Sequence, residues 1–113
     1  MANQMFQKIP IINAPVTKTA AFDTKATKVN VGDYSEFVLC LNVTAASGSL
    51  VVNVVMEDPI TSGVWHTIET LTAITTISTV NKKLSGFGAN IALDCTMGVG
   101  DSFTLTAGGI AKP

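Results

Sequence analysis

The chain has 113 residues, with seven Lys, no Arg, one His and eight acidic residues, for a formal net charge of −1; that length fits one domain able to bury its own core. Charged residues make up only 13%, against about 25% in ordinary soluble domains, so much of the surface is expected to be covered by something else, as in a subunit of a large assembly. The lack of Arg, the preferred bidentate ligand of phosphate and guanine, argues against a nucleic-acid partner, and the lack of any run of 18 apolar residues excludes a membrane-spanning helix; no membrane partner is expected.

Residues 1–19 carry Pro10 and Pro15 among Ile9, Ile11, Ile12 and Val16. Proline cannot donate to a β-ladder, so this stretch reads as an extended N-terminal arm with at most an edge strand, set apart from a β-sandwich domain over 20–113. It is too apolar for a free tail. Two placements fit. The arm packs on its own domain, or it docks on a neighbouring subunit through Phe6, Ile9, Ile11 and Ile12, since assemblies exchange such arms readily. On the second placement, deleting residues 1–15 leaves a folded monomer that no longer assembles. Met1 to Phe6 shows no charged region leading into an apolar run, so no signal peptide is expected.

A strand is expected near 27–31, and Gly32-Asp33 is a turn signal. Phe37, Leu39, Leu41 and Val43 then alternate with Glu36, Val38, Cys40 and Asn42. Leu50, Val52, Val54 and Met56 alternate with Val51, Asn53, Val55 and Glu57. A period of two marks half-buried strands. The Ala45-Ala46-Ser47-Gly48 between them predicts a central hairpin with a loop of about four or five residues. Val38, Val51 and Val55 sit on the outer faces, so those faces are candidates for cover too.

A loop over 58–63 precedes a strand from Val64 to Leu71 that holds the only Trp. Thr75–Val80 is a further strand, and 81–88, with Lys82, Lys83, Gly86 and Gly88, reads as a loop. Asn90–Met97 and Ser102–Ala107 form a second alternating pair around the Gly98–Asp101 turn, and Gly108-Gly109 loosens the tail. The count is seven or eight short, mostly antiparallel strands with a turn signal about every ten residues, the pattern of an all-β sandwich or small barrel.

Chemistry-bearing motifs are sparse. His66, the only histidine, has Glu57, Asp58 and Glu69 as candidate neighbours, and the plain reading is a strand-surface imidazole. Asp58, Asp94 and Asp101 are not spaced as a calcium loop, and Asp101 reads as a turn cap. Gly86-Phe87-Gly88 and Gly98-Val99-Gly100 do not open helices, so neither cradles phosphate. Alternation faces Cys40 outward and Cys95 inward, which predicts two reduced thiols rather than a disulfide. Asn42-Val43-Thr44 matches a glycosylation acceptor by chance. Trp65 is weighed as a carbohydrate platform against hairpin packing. No catalytic residue, cofactor or metal is assigned.

The order of structural pieces resembles small β-sandwich virion proteins of tailed bacteriophages. The pieces are Phe37–Val43, then Ala45–Gly48, Leu50–Asp58, Trp65-His66-Thr67-Ile68, and the closing Gly100-Asp101-Ser102-Phe103-Thr104-Leu105, over roughly residues 35–107. The chain departs from that pattern in its longer Asp58–Gly63 loop and in Ile91-Ala92-Leu93, where an Arg is common. The resemblance implies a non-enzymatic structural protein of the virion. A decoration (cementing) protein on the outside of the capsid is expected, with the major capsid protein and copies of itself as partners. A tail or baseplate subunit, a carbohydrate-binding or host-attachment module and the coat of a small RNA phage are the alternatives.

Overall fold

The computed structural model describes residues 6–85 and 89–113. It is all-β, with nine strands: β1 (Gln7–Lys18), β2 (Phe22–Asp23), β3 (Val29–Asn30), β4 (Glu36–Ser47), β5 (Leu50–Glu57), β6 (Trp65–Thr70), β7 (Ser78–Leu84), β8 (Asn90–Met97) and β9 (Ser102–Lys112). The one helical element described is a 3₁₀ turn, Lys25–Thr27, between β2 and β3. Sheet A has four strands in the order β1-β9-β4-β7; sheet B has five, β2-β8-β5-β6 with β3 also on β8. Every pairing is antiparallel. The architecture is a two-sheet sandwich, as the alternation predicts.

The core lies between the inner faces. Phe37, Leu39, Leu41 and Val43 of β4 and Phe103 and Leu105 of β9 meet Leu50, Val52 and Val54 of β5 and Ile91, Leu93 and Cys95 of β8, all within 1% of full burial. Each large side chain contributes about 1.5–3 kcal/mol by leaving water.

The expected central hairpin is not a hairpin. β4 belongs to sheet A and β5 to sheet B, so the Gly48-Ser49 link crosses between layers. Alternation and a turn signal are common to a hairpin and to such a crossing, in which the two inner faces look at each other across the core instead of side by side. The Asn90–Met97 and Ser102–Ala107 pair differs from expectation in the same way, with β8 in sheet B and β9 in sheet A. The two crossings are stacked: Ser47 pairs with Ser102 in one sheet and Leu50 with Met97 in the other. Asp101 fastens them together. One oxygen of its carboxylate accepts the backbone N–H of Ser49 at 3.2 Å and of Gly98 at 2.9 Å. Gly48 has φ 101°, and an added Cβ would fall on the Asp101 carboxylate, so glycine is required twice over.

Three further boundaries differ. β4 runs on through the expected turn to Ser47, because β9 pairs with it as far as Ser102. β7 includes Asn81 to Leu84, which were expected in the 81–88 loop, because β4 pairs with it without a break. Residues 86–88 of that loop lie outside the described residues. β9 does not loosen at Gly108-Gly109 but continues to Lys112. The Phe37 ring occupies the space where a Gly109 Cβ would be, so glycine lets the backbone lie on the ring.

The separate N-terminal arm expected over 1–19 is not seen as a limb of its own. From Gln7 to Lys18 it is β1, the edge of sheet A, paired with β9 from Gln7↔Ala111 to Lys18↔Phe103. The prolines are tolerated because the strand is an edge and because its register shifts twice, between Pro10 and Ile12 and between Ile12 and Val16. Residues 1–5 of the arm lie outside the described residues.

Candidate functional site

The outer face of sheet B carries its own cover. Val55 and Ala92 point outward and pair with each other, yet they are 3% and 0% exposed. Cover comes from the 3₁₀ turn, which packs on β8. Thr24 seats the turn by exchanging two bonds with Leu93, its N–H donating to the carbonyl and its hydroxyl accepting the N–H, both at 2.9 Å. From there Lys25 reaches Asp94 at 3.5 Å and lies over the Trp65 ring, 6.0 Å from its centre. Lys28 meets Glu57 at 2.7 Å. Asp94 and Glu57 share the outer face with Ala92 and Val55, so the two ion pairs hold both lysines on that face. Trp65 is therefore half-buried under a cation, not an open stacking platform.

Glu57 is the most heavily bonded group in the described molecule's polar network. It is 8% exposed and accepts from Lys28 Nζ at 2.7 Å, Gly63 N at 3.0 Å, Asn90 Nδ2 at 3.1 Å and the Ser62 hydroxyl at 3.4 Å. The Lys28 ammonium, with the Gly63 N–H next in weight, pulls its pKa from 4.5 down to about 2. Asp58 holds the following loop. Its Oδ2 accepts the N–H groups of Ile60 and Thr61 at 3.0 and 2.7 Å, and its Oδ1 meets His66 Nε2 at 2.8 Å. The His66 bond is the main reason the Asp58 carboxyl sits below its ordinary value.

Of the three acids weighed as partners for His66, the structure gives it Asp58. Glu57 turns to Lys28, and Glu69 lies 3.9 Å from Lys82. The His66 and Asp58 pair orders a loop. No hydroxyl or thiol is bonded to the imidazole, and no cluster of three metal-ligating side chains occurs among the described residues. Both cysteines are free. Burial pushes the Cys95 thiol up to about 12, which makes it an inert core residue. No helix described is long and apolar enough to cross a membrane.

The outer face of sheet A carries no comparable cover among the described residues. The registers align its outward side chains in rows. Lys8, Ile110, Val38 and Lys83 form one, Pro10, Gly108, Cys40 and Asn81 the next, and Thr106, Asn42 and Thr79 a third. Gly108 has no side chain, so the centre dips into an open groove of ≈ 730 Å³ floored by Cys40 and Gly108. Charge is confined to one end, where Glu36 meets Lys83 at 2.9 Å and Lys112 at 3.5 Å. The Lys83 bond is the main influence holding the Glu36 carboxyl below its usual value.

The four residues singled out for docking are divided by this face. Phe6 is 66% exposed, with Lys112 5.2 Å from its ring centre. Ile9, Ile11 and Ile12 are half-buried and pack against the domain's own core. The expectation that residues 1–15 can be deleted without loss of fold is revised accordingly, because the deletion removes those contacts and uncovers the β9 edge. Sequence reasoning missed Lys25, Lys28 and Thr24 as the cover of sheet B. The signal was present in the outward Val55 and Ala92, which needed something above them.

No family model, no curated protein and no solved structure matches the chain.

Proposed function

We propose that this chain is a non-enzymatic structural protein of a tailed-phage virion, a decoration protein that lies on the outer shell of the head. It binds the major capsid protein and copies of itself through weakly charged β surfaces. The observation that carries the reading is the open outer face of sheet A: grooved and neutral at its centre, apolar at Val38, Ile110 and Pro10, and continuous with exposed Phe6. Burying such a face releases water from apolar surface with few charges to desolvate. A two-layer sandwich with a full core is stiff enough to present it without reordering, which keeps the entropy of binding small.

The other exposed apolar side chains support the same reading. Ile60 and Val64 lie in the β5–β6 loop, and Ile77 and Val99 in the links before β7 and β9. They give a repeating neighbour more than one apolar contact. Trp65 under Lys25 favours this reading over a carbohydrate-binding module.

The test is cosedimentation of the purified protein with empty phage heads, with tails as the control. Saturable binding to heads, weakened by Ile110→Ser or Phe6→Ser, supports decoration. Binding to tails alone moves the protein to the tail or baseplate. Binding to neither overturns the virion reading.

A further inference from the structure

The sandwich has more than one open strand edge, and most are ill-suited to pairing. β1 has two prolines and two register shifts. β2 and β3 are two residues each and are separated by the 3₁₀ turn. β6 carries the extra residue Ile68 where its register with β5 shifts. β7 has none of these features. Its seven residues contain no Pro or Gly and pair with Phe37–Val43 without a break. Among the described residues nothing pairs with its other side. A strand so placed offers a row of unpaired N–H and C=O groups. Lysines usually guard such an edge, but here both are drawn back to their own molecule: Lys83, on the outer face, to Glu36 at 2.9 Å, and Lys82, which shares the core-facing side with Leu39, to Glu69 at 3.9 Å.

We propose that β7 pairs with β7 of a second copy of this chain, antiparallel, about a two-fold axis through Asn81. Residues opposite each other in a sheet share a face, so such an axis always passes through a residue and its own copy. Asn81 is the midpoint of Ser78–Leu84, and that centre alone uses the whole strand. It sets Lys82 opposite Val80 and Lys83 opposite Thr79 of the second copy. A centre at Lys82 or Lys83 would put like charges face to face, which is destabilising. The product is one continuous sheet of eight strands, four from each copy. Ile77, 68% exposed at the foot of β7, then faces the far end of the other copy's strand and loses water. The pairing gives the self-contact of the decoration reading a place in the fold and rests on that reading to this extent. Its test needs no phage, so the two fail separately.

Sedimentation equilibrium of the full chain over roughly 1–100 µM tests it, a range that resolves micromolar dimers. The wild type is expected to dimerise. Asn81→Lys places two like charges opposite each other on an exposed face and is expected to weaken the dimer roughly tenfold or more, with an unchanged circular dichroism spectrum. A second variant guards against misfolding. Cys40 is opposite Asn81 on β4, so Asn81→Cys is made with Cys40→Ser to prevent an internal bridge. Two opposed cysteines lie about 5 Å apart at Cα, within disulfide reach, and mild oxidation is expected to give a covalent dimer. A wild-type monomer across the range, a dimer that Asn81→Lys leaves intact, or no covalent dimer would each overturn the proposal. Amides of β7 that become exchange-protected only on heads would put a capsid strand at this edge and overturn self-pairing as well.

Discussion

Val55 on sheet B and Val38 on sheet A are both outward valines on strands paired on both sides, and they meet different fates. Val55 is 3% exposed beneath a layer the chain supplies itself; Val38 stays half-open beside Ile110, which is 37% exposed. The difference lies in where the cations are anchored. On sheet B, Lys25 and Lys28 are tied to Asp94 and Glu57, which holds both on the outer face together with the 3₁₀ turn. On sheet A, Lys83 and Lys112 are gathered at one end by Glu36, and the centre is left clear. A β face is closed or kept free for a partner by a few carboxylates, with no change in the strands beneath.

The contrast can be broken most forcefully from below. Val55→Asp places an unpartnered carboxylate under the sheet B cover and is expected to lower stability by about 3–5 kcal/mol. Asn42→Asp, on the open face, is expected to stay within about 0.5 kcal/mol. Urea unfolding of the two variants checks this directly, and equal losses would mean that the faces do not differ. Next in size is the anchor. The folded-state pKa of Glu57 is depressed to about 2 from 4.5, so the stability it contributes is complete above 4.5 and is lost as the pH falls toward 2. Lys28→Ala is therefore expected to lower the urea midpoint at pH 7 and to have little effect near pH 2. Glu57→Gln is expected to flatten the acid limb of the stability profile. Smaller still, Lys25→Ala uncovers the Trp65 ring and is expected to red-shift its fluorescence while the fold is kept. Ile110→Ser is also expected to change stability little, within about 1 kcal/mol. Its effect belongs in head binding, read by cosedimentation.

The core was legible in the sequence because alternation fixes which residues point together. Phe37, Leu39, Leu41 and Val43 are all inward and buried. What alternation does not encode is the sheet to which a strand belongs. Gly48 serves a crossing as readily as a hairpin, and the distinction rests on long-range pairs such as Ser47↔Ser102. Lys82, Lys83, Gly108 and Gly109 looked like loop residues by propensity, and tertiary pairing overrides propensity at an edge and over an aromatic ring. At the candidate site, the sequence grouped Phe6 with its neighbours as one docking set, and only Phe6 is open in the structure. Ile9, Ile11 and Ile12 were not separable from it, because an edge strand on its own domain and an arm on a neighbour share the same apolar composition.

The position of β9 has a consequence for how the molecule is made. It lies between β1 and β4 in sheet A, and nearly every residue of β4 and most of β1 pair with it. On the ribosome, β1 and β4 emerge early and wait without a partner between them, so half of the sandwich is unbuilt until residue 112 has been translated. Contacts of such wide sequence separation fold slowly. A nascent chain stalled before Ser102 would expose the Phe37 to Val43 stripe to chaperones, and loss of the final strand would remove the centre of a layer instead of trimming its margin.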